Sequence, residues 1–201
     1  MYETDGFFHY SGKGGENLSW CYSSYSEALF LKAEAVLRGW IGGDAEALWK
    51  AAIKASMDEI GAFVTRSGGS KTISAAEQNA YIAALPAFGS SKEQQLRSIM
   101  IQKWIALYPN SAEAWAEQRR TGYPDYFSGV LTYPAVSASS GVSVGNIIQR
   151  IPYPQNEYNT NEPNIPADHK DYNAKNMEKG IFWSLNGTST QSATTAPNNK
   201  F

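Results

Sequence analysis

Cysteine is almost missing from this chain. Cys21 is the single one in 201 residues, so an internal disulfide is excluded, and with it the disulfide-stapled class of small domains. A lipid-anchor role for Cys21 is disfavoured by its own context. Trp20 stands just before it where a small residue is needed, and no apolar run precedes it. It reads as a buried or interfacial thiol, a small hydrophobe in practice. Histidine is nearly as scarce: His9 and His169 lie far apart in loop-like sequence, without the spacing of a zinc site. No glycine-rich phosphate loop leads into Lys-Ser or Lys-Thr, and there is no Gly-x-Ser-x-Gly elbow. No apolar stretch is long enough to span a bilayer and no signal peptide opens the sequence, so this chain alone is expected to be soluble. A charge excess is also missing. Seventeen Lys and Arg against nineteen Asp and Glu leave a net charge of -2, which is no footprint for nucleic acid. Asp58 and Glu59 are neighbours on one helix, so they point to different sides and cannot flank a glycosidic bond. The expectation is a protein without catalytic residues, metal or cofactor.

What the chain does have is helical grammar. In 96–107, Leu96, Ile99, Met100, Trp104 and Leu107 recur at three- and four-residue steps, one apolar helix face. Pro109 ends that helix, and Asn110 with Glu113 predicts the start of the next. The second helix stops at Arg119, Arg120, Gly122 and Pro124, with cations at the negative end of the dipole and glycine for a left-handed cap. Upstream, Ser24 with Glu27 opens a helix carrying Ala28, Leu31, Ala35 and Leu37 towards Gly39. Asp44 caps another, carrying Leu48, Ala51, Ala52 and Ala55 and predicted to end near Gly61. Ser74 with Glu77 starts a short helix that Pro86 stops, and Ser90 with Glu93 is the expected start of the helix through Leu96. Five helices are predicted. The pair AEAVLRGWIGGDAEALWKAAIKA has the look of a tetratricopeptide hairpin, although no unit repeats at a fixed period.

Past residue 125 the style changes. Segments 126–133 and 142–151 read as short strands, but prolines at 134, 152, 154, 163 and 166 turn most of this part into extended loop. Residues 184–201 are polar, with little to bury. The aromatics divide accordingly. Trp49, Trp104 and Trp115 lie within helices and read as core. Tyr10, Trp20 and Tyr22 before the helices, and Tyr123, Tyr126, Tyr133, Tyr153, Tyr158 and Trp183 after them, have two readings: stacking on a sugar ring, or fastening long loops to the helices. Arg119 and Arg120 likewise read either as helix-end cations or as side chains reaching groups across the loops.

Three strings, SEALFLKAEAVLRGW, IQKWIALYPNSAEAWAEQRRTGYP and RIPYPQNEYNTNEPN, in this order and spacing resemble the C-terminal part of SusD/RagB-type outer-membrane nutrient-binding lipoproteins. The middle string is the specific one, and the likeness runs over 23–183. The resemblance implies a mainly α fold, with tetratricopeptide-like helical hairpins packed with a loop-rich irregular lobe. It implies one incomplete SusD-like domain over 1–201, with the helical scaffold at 23–122 and the loop-rich lobe and polar tail at 123–201. It implies non-catalytic binding of an oligosaccharide, or a peptide, on the outer-membrane surface. The partner would be a SusC-like TonB-dependent transporter, and the anchor a lipid that this chain does not carry. Two positions depart from the family pattern: Gln149 stands before Arg150 where two arginines are common, and Phe182-Trp183 replaces a tryptophan pair. Family members are much longer, so the sequence is expected to be a C-terminal portion. Tyr10, Trp20 and Tyr22 are the candidate ligand-binding residues, and a tetratricopeptide-like scaffold for proteins or peptides is the alternative.

Overall fold

A computed structural model of the chain describes residues 23–66, 69–124, 148–167 and 177–184. Cys21, His9, His169, the proposed strand at 126–133, most of the one at 142–151 and nearly all of the polar tail lie outside the described residues. Among those described, the elements are helices: α1 (Tyr25–Leu37), α2 (Ala45–Arg66), α3 (Ala75–Ala84), α4 (Lys92–Ala106), α5 (Ser111–Thr121) and α6 (Gln155–Thr160), then a 3-10 turn at Glu162–Asn164. The chain divides into two compact units, Met1–Tyr108 and Pro109–Phe201.

In the first unit, α1 pairs with α2 and also packs on α4. The Ser24 hydroxyl accepts from the Glu27 N–H at 3.1 Å and opens α1. Glu59 of α2 then accepts from the Ser26 N–H at 3.0 Å and from its hydroxyl at 2.6 Å. A carboxylate at a helix N-terminus meets unsatisfied N–H groups and the positive end of the dipole. Because that bond joins the start of α1 to a late position in α2, the two helices run antiparallel about the turn at 38–44. Phe30, Ala33 and Leu37 form the buried face of α1. The predicted face differs: Ala28 and Leu31 are exposed, and the larger Phe30 sets the stripe one position away. The core continues through Trp49, Ala52, Ile53, Leu96, Ile99 and Met100. The Trp49 indole N–H donates to the Ser98 carbonyl at 3.0 Å, and its ring meets Phe88 at 5.1 Å between centroids.

Two boundaries depart from expectation. Helix α2 does not stop at Gly61 but continues to Arg66. Gly61 is buried against Thr72, where an added Cβ would lie 3.6 Å from the Thr72 methyl, so this glycine is an interior packing position and not an end. The cap of α4 is Ser91 with Gln94, one residue later than Ser90 with Glu93. The Gln94 side-chain oxygen accepts from both Ser90 N–H at 3.1 Å and Ser91 N–H at 3.2 Å, a reach that settles the register. Helix α3 has the predicted capping box, and Pro86 leaves Leu85 extended.

The second unit opens with α5, capped by the Asn110 side chain on the Glu113 N–H at 3.4 Å. Gly122 closes it in the left-handed region at φ 78, its N–H donating to the Gln118 carbonyl at 2.7 Å. Helix α6 follows Pro154 in a stretch read as extended loop. Proline there precedes the helix rather than interrupting it, so the proline count misleads. Residues 148–151, the described end of the second proposed strand, are not in a strand.

Candidate functional site

Each described unit carries one organised feature, and the first also presents a conspicuous tip. In the second unit it is Arg119, 9% exposed, at the last turn of α5. Its guanidinium carbon lies 3.6 Å from the Trp115 ring centroid and 4.7 Å from that of Trp183. One terminal N–H donates to the Gln149 carbonyl at 2.8 Å, and Nε–H donates to the Trp115 carbonyl at 3.3 Å. Trp115 adds its own bond, indole N–H to the Ile148 carbonyl at 2.9 Å. The backbone N–H groups of Gln149 and Arg150 both donate to the Met177 carbonyl, at 2.7 and 3.2 Å. Three segments distant in sequence therefore meet on one flat cation: α5, 148–150 and 177–184. Burial pushes the Arg119 guanidinium down from its ordinary value, though an arginine stays charged in proteins. Of the two departures from the family strings, Phe182 is 88% exposed while Trp183 supplies the stack, so the phenyl ring leaves the clamp intact.

Arg120, next in sequence, has a partner within α5. It makes a two-pronged pair with Glu117 at 2.9 and 2.8 Å. Thr121, fully buried, donates its hydroxyl to the Glu117 carbonyl at 2.8 Å and accepts from the Tyr123 N–H at 3.2 Å. The string Arg-Arg-Thr-Gly-Tyr-Pro is thus a helix end, from which Arg119 also reaches the 148–150 segment.

In the first unit a mostly apolar cleft of about 330 Å³ lies among α2, α3 and α4. Ile60, Ile73, Tyr81, Ile105 and Tyr108 line it, and the Tyr81 hydroxyl meets the Gln102 side-chain oxygen at 3.1 Å. At the tip of the α1–α2 hairpin, Trp40 and Ile41 stand 71% and 44% exposed. Sequence reasoning missed Trp40. The signal was available: an indole between Gly39 and Gly42-Gly43 has no neighbour to bury it. Trp49 is core as expected, whereas Trp104 and Trp115 are only half-buried.

The candidate ligand residues Tyr10, Trp20 and Tyr22 lie outside the described residues. Among the described residues no three His, Cys, Asp or Glu side chains gather as metal ligands. No described helix is long and apolar enough to cross a membrane.

With this geometry in hand, the comparisons place the chain. It matches the SusD-like family model, described as Susd and RagB outer membrane lipoprotein, over residues 11–184. The chain belongs to the SusD-like family. Solved structures similar to it include a chitin-binding protein, 32% identical, over 69% of this chain and 27% of that one, with a TM-score of 0.52. A SusD homologue from Bacteroides fragilis is 27% identical over 85% of this chain and 35% of its own, at a TM-score of 0.59. A chitin-binding SusD homologue from Flavobacterium johnsoniae is 27% identical over 86% of this chain and 36% of its own, at 0.50. The chain therefore spans between about a quarter and somewhat over a third of the length of these structures. No curated protein matches the sequence. The mainly α fold with a tetratricopeptide-like hairpin at α1–α2 is the fold of this family.

Proposed function

We propose that the chain serves in cell-surface glycan binding, as part of a SusC/SusD-type TonB-dependent nutrient import complex, without catalysing a reaction. The observation that carries this reading is the family match over 11–184, joined by two similar structures that are themselves named as chitin-binding. The fuller reading places a SusC-like transporter as partner and a lipid anchor holding the protein at the outer membrane. It also keeps Tyr10, Trp20 and Tyr22 as ligand-binding aromatics, and 1–201 as part of one SusD-like domain.

Isothermal titration of the 201-residue chain against chitin oligosaccharides and a panel of soluble polysaccharides tests it. Saturable binding to at least one glycan is expected. Uniform lack of heat and of gel retardation across the panel would overturn the reading. A peptide-binding scaffold is the second reading, favoured by the apolar cleft beside α3 with its exposed Ile73, Ile105 and Tyr108. Binding of peptides but not glycans would select it.

A further inference from the structure

The glycines at the tip of the α1–α2 hairpin do not all serve the fold. Gly39 sits at φ 78, in the left-handed region, and closes α1. Gly43 also has positive φ, and a Cβ there would lie 3.1 Å from a Val36 methyl. Gly42 has neither reason. Its φ lies outside the positive region, and an added Cβ would meet nothing within 4 Å. Nothing in the described chain requires position 42 to be bare.

Between these glycines stand Trp40 and Ile41. The turn that carries them is held by the Gly39 N–H on the Val36 carbonyl at 2.9 Å and the Trp40 N–H on the Ala35 carbonyl at 3.0 Å. Arg38 lies over the indole at 5.5 Å from its centroid, and is itself tied to Glu34 at 2.8 Å. Trp40 as a whole is nevertheless 71% exposed. A rigid aromatic costs little ordering entropy when it binds.

We propose, building on the glycan-binding reading above, that Trp40 is a stacking platform for one sugar ring, with Gly42 left bare to admit it. Asp44, exposed in the same turn, holds the Ala47 N–H at 3.0 Å through Oδ1 as the cap of α2, and its second oxygen would accept from a hydroxyl of the sugar. Size favours a sugar over a protein. Trp40 and Ile41 together offer roughly 200 Å² of apolar surface, whereas a stable protein interface takes about 800 Å² from each partner. A pyranose presents one apolar face bordered by hydroxyls, which an exposed indole with a carboxylate in the same turn complements.

Titration of the same glycan panel against the wild-type chain and W40A, W40F and G42V tests this, with thermal unfolding followed by circular dichroism. Both positions are exposed and unstrained, so all three variants are expected to melt with the wild type. W40A and G42V should weaken glycan binding roughly tenfold, and W40F should keep most of it. Wild-type binding that persists unchanged in W40A and G42V overturns this inference and leaves the glycan reading standing. A wild-type chain that binds no glycan overturns both.

Discussion

Arg119 and Arg120 are adjacent and share a charge, but the contacts described for them differ. Arg120 pairs with its own helix three residues back, whereas Arg119 lies flat between two indoles and donates to a carbonyl thirty residues on. Only a planar, delocalised cation can stack and hydrogen-bond edge-on at once. Lysine keeps the charge but loses both stacks and the fork, so R119K should lower the unfolding free energy by roughly 2 kcal/mol, read from denaturant unfolding. R120K exchanges a fork on Glu117 for a single contact and should cost less. Equal effects would contradict the distinction. The pair shows where sequence reading stops. A helix-end arginine is visible in the string Arg-Arg-Thr-Gly, but which carbonyl returns to it depends on where 148–150 lies, and no local pattern encodes that. Trp40 shows a different failure, because counting aromatics as helix core or loop glue overlooks one lifted clear of both by glycine.

At the scale of elements, caps were the legible part. Ser24, Ser74, Asn110 and Gly122 end or begin helices through atoms within three or four residues of themselves, and such chemistry can be read from the sequence alone. Apart from the α4 cap, expected one residue early, what failed depended on a neighbour: the face of α1, the passage of α2 through Gly61, and α6 after its proline. The cap of α3 makes a pH prediction. Glu77 is fully exposed, yet the Ser74 hydroxyl, and then the Ser74 N–H, hold its carboxyl below its ordinary 4.5. A carboxylate with a depressed pKa stabilises the folded helix fully above its ordinary value, and that contribution is lost as pH falls through the lowered one. Amide protection in α3 should therefore decline below pH 4.5, more than in α4, whose cap uses Gln94. In E77Q that difference should vanish, and hydrogen exchange across the acid range would show whether it does.

For the whole molecule, the resemblance rested on three strings, and the bonds described along those of the second unit are architectural. The segments around Arg119, Thr121 and Gln149 join pieces of the second unit. Bonds of this kind mark a fold and name no ligand. The bond between Ser26 and Glu59 has a further consequence, in time rather than space. It closes a loop of 33 residues, a short excursion that costs little chain entropy. Contacts so local can form early, and on a ribosome that releases about 5 to 20 residues each second the hairpin has several seconds to pair before α4 exists. S26A and E59A should therefore slow refolding with φ values near one. Unchanged refolding with faster unfolding would mean that the hairpin waits for α4 instead.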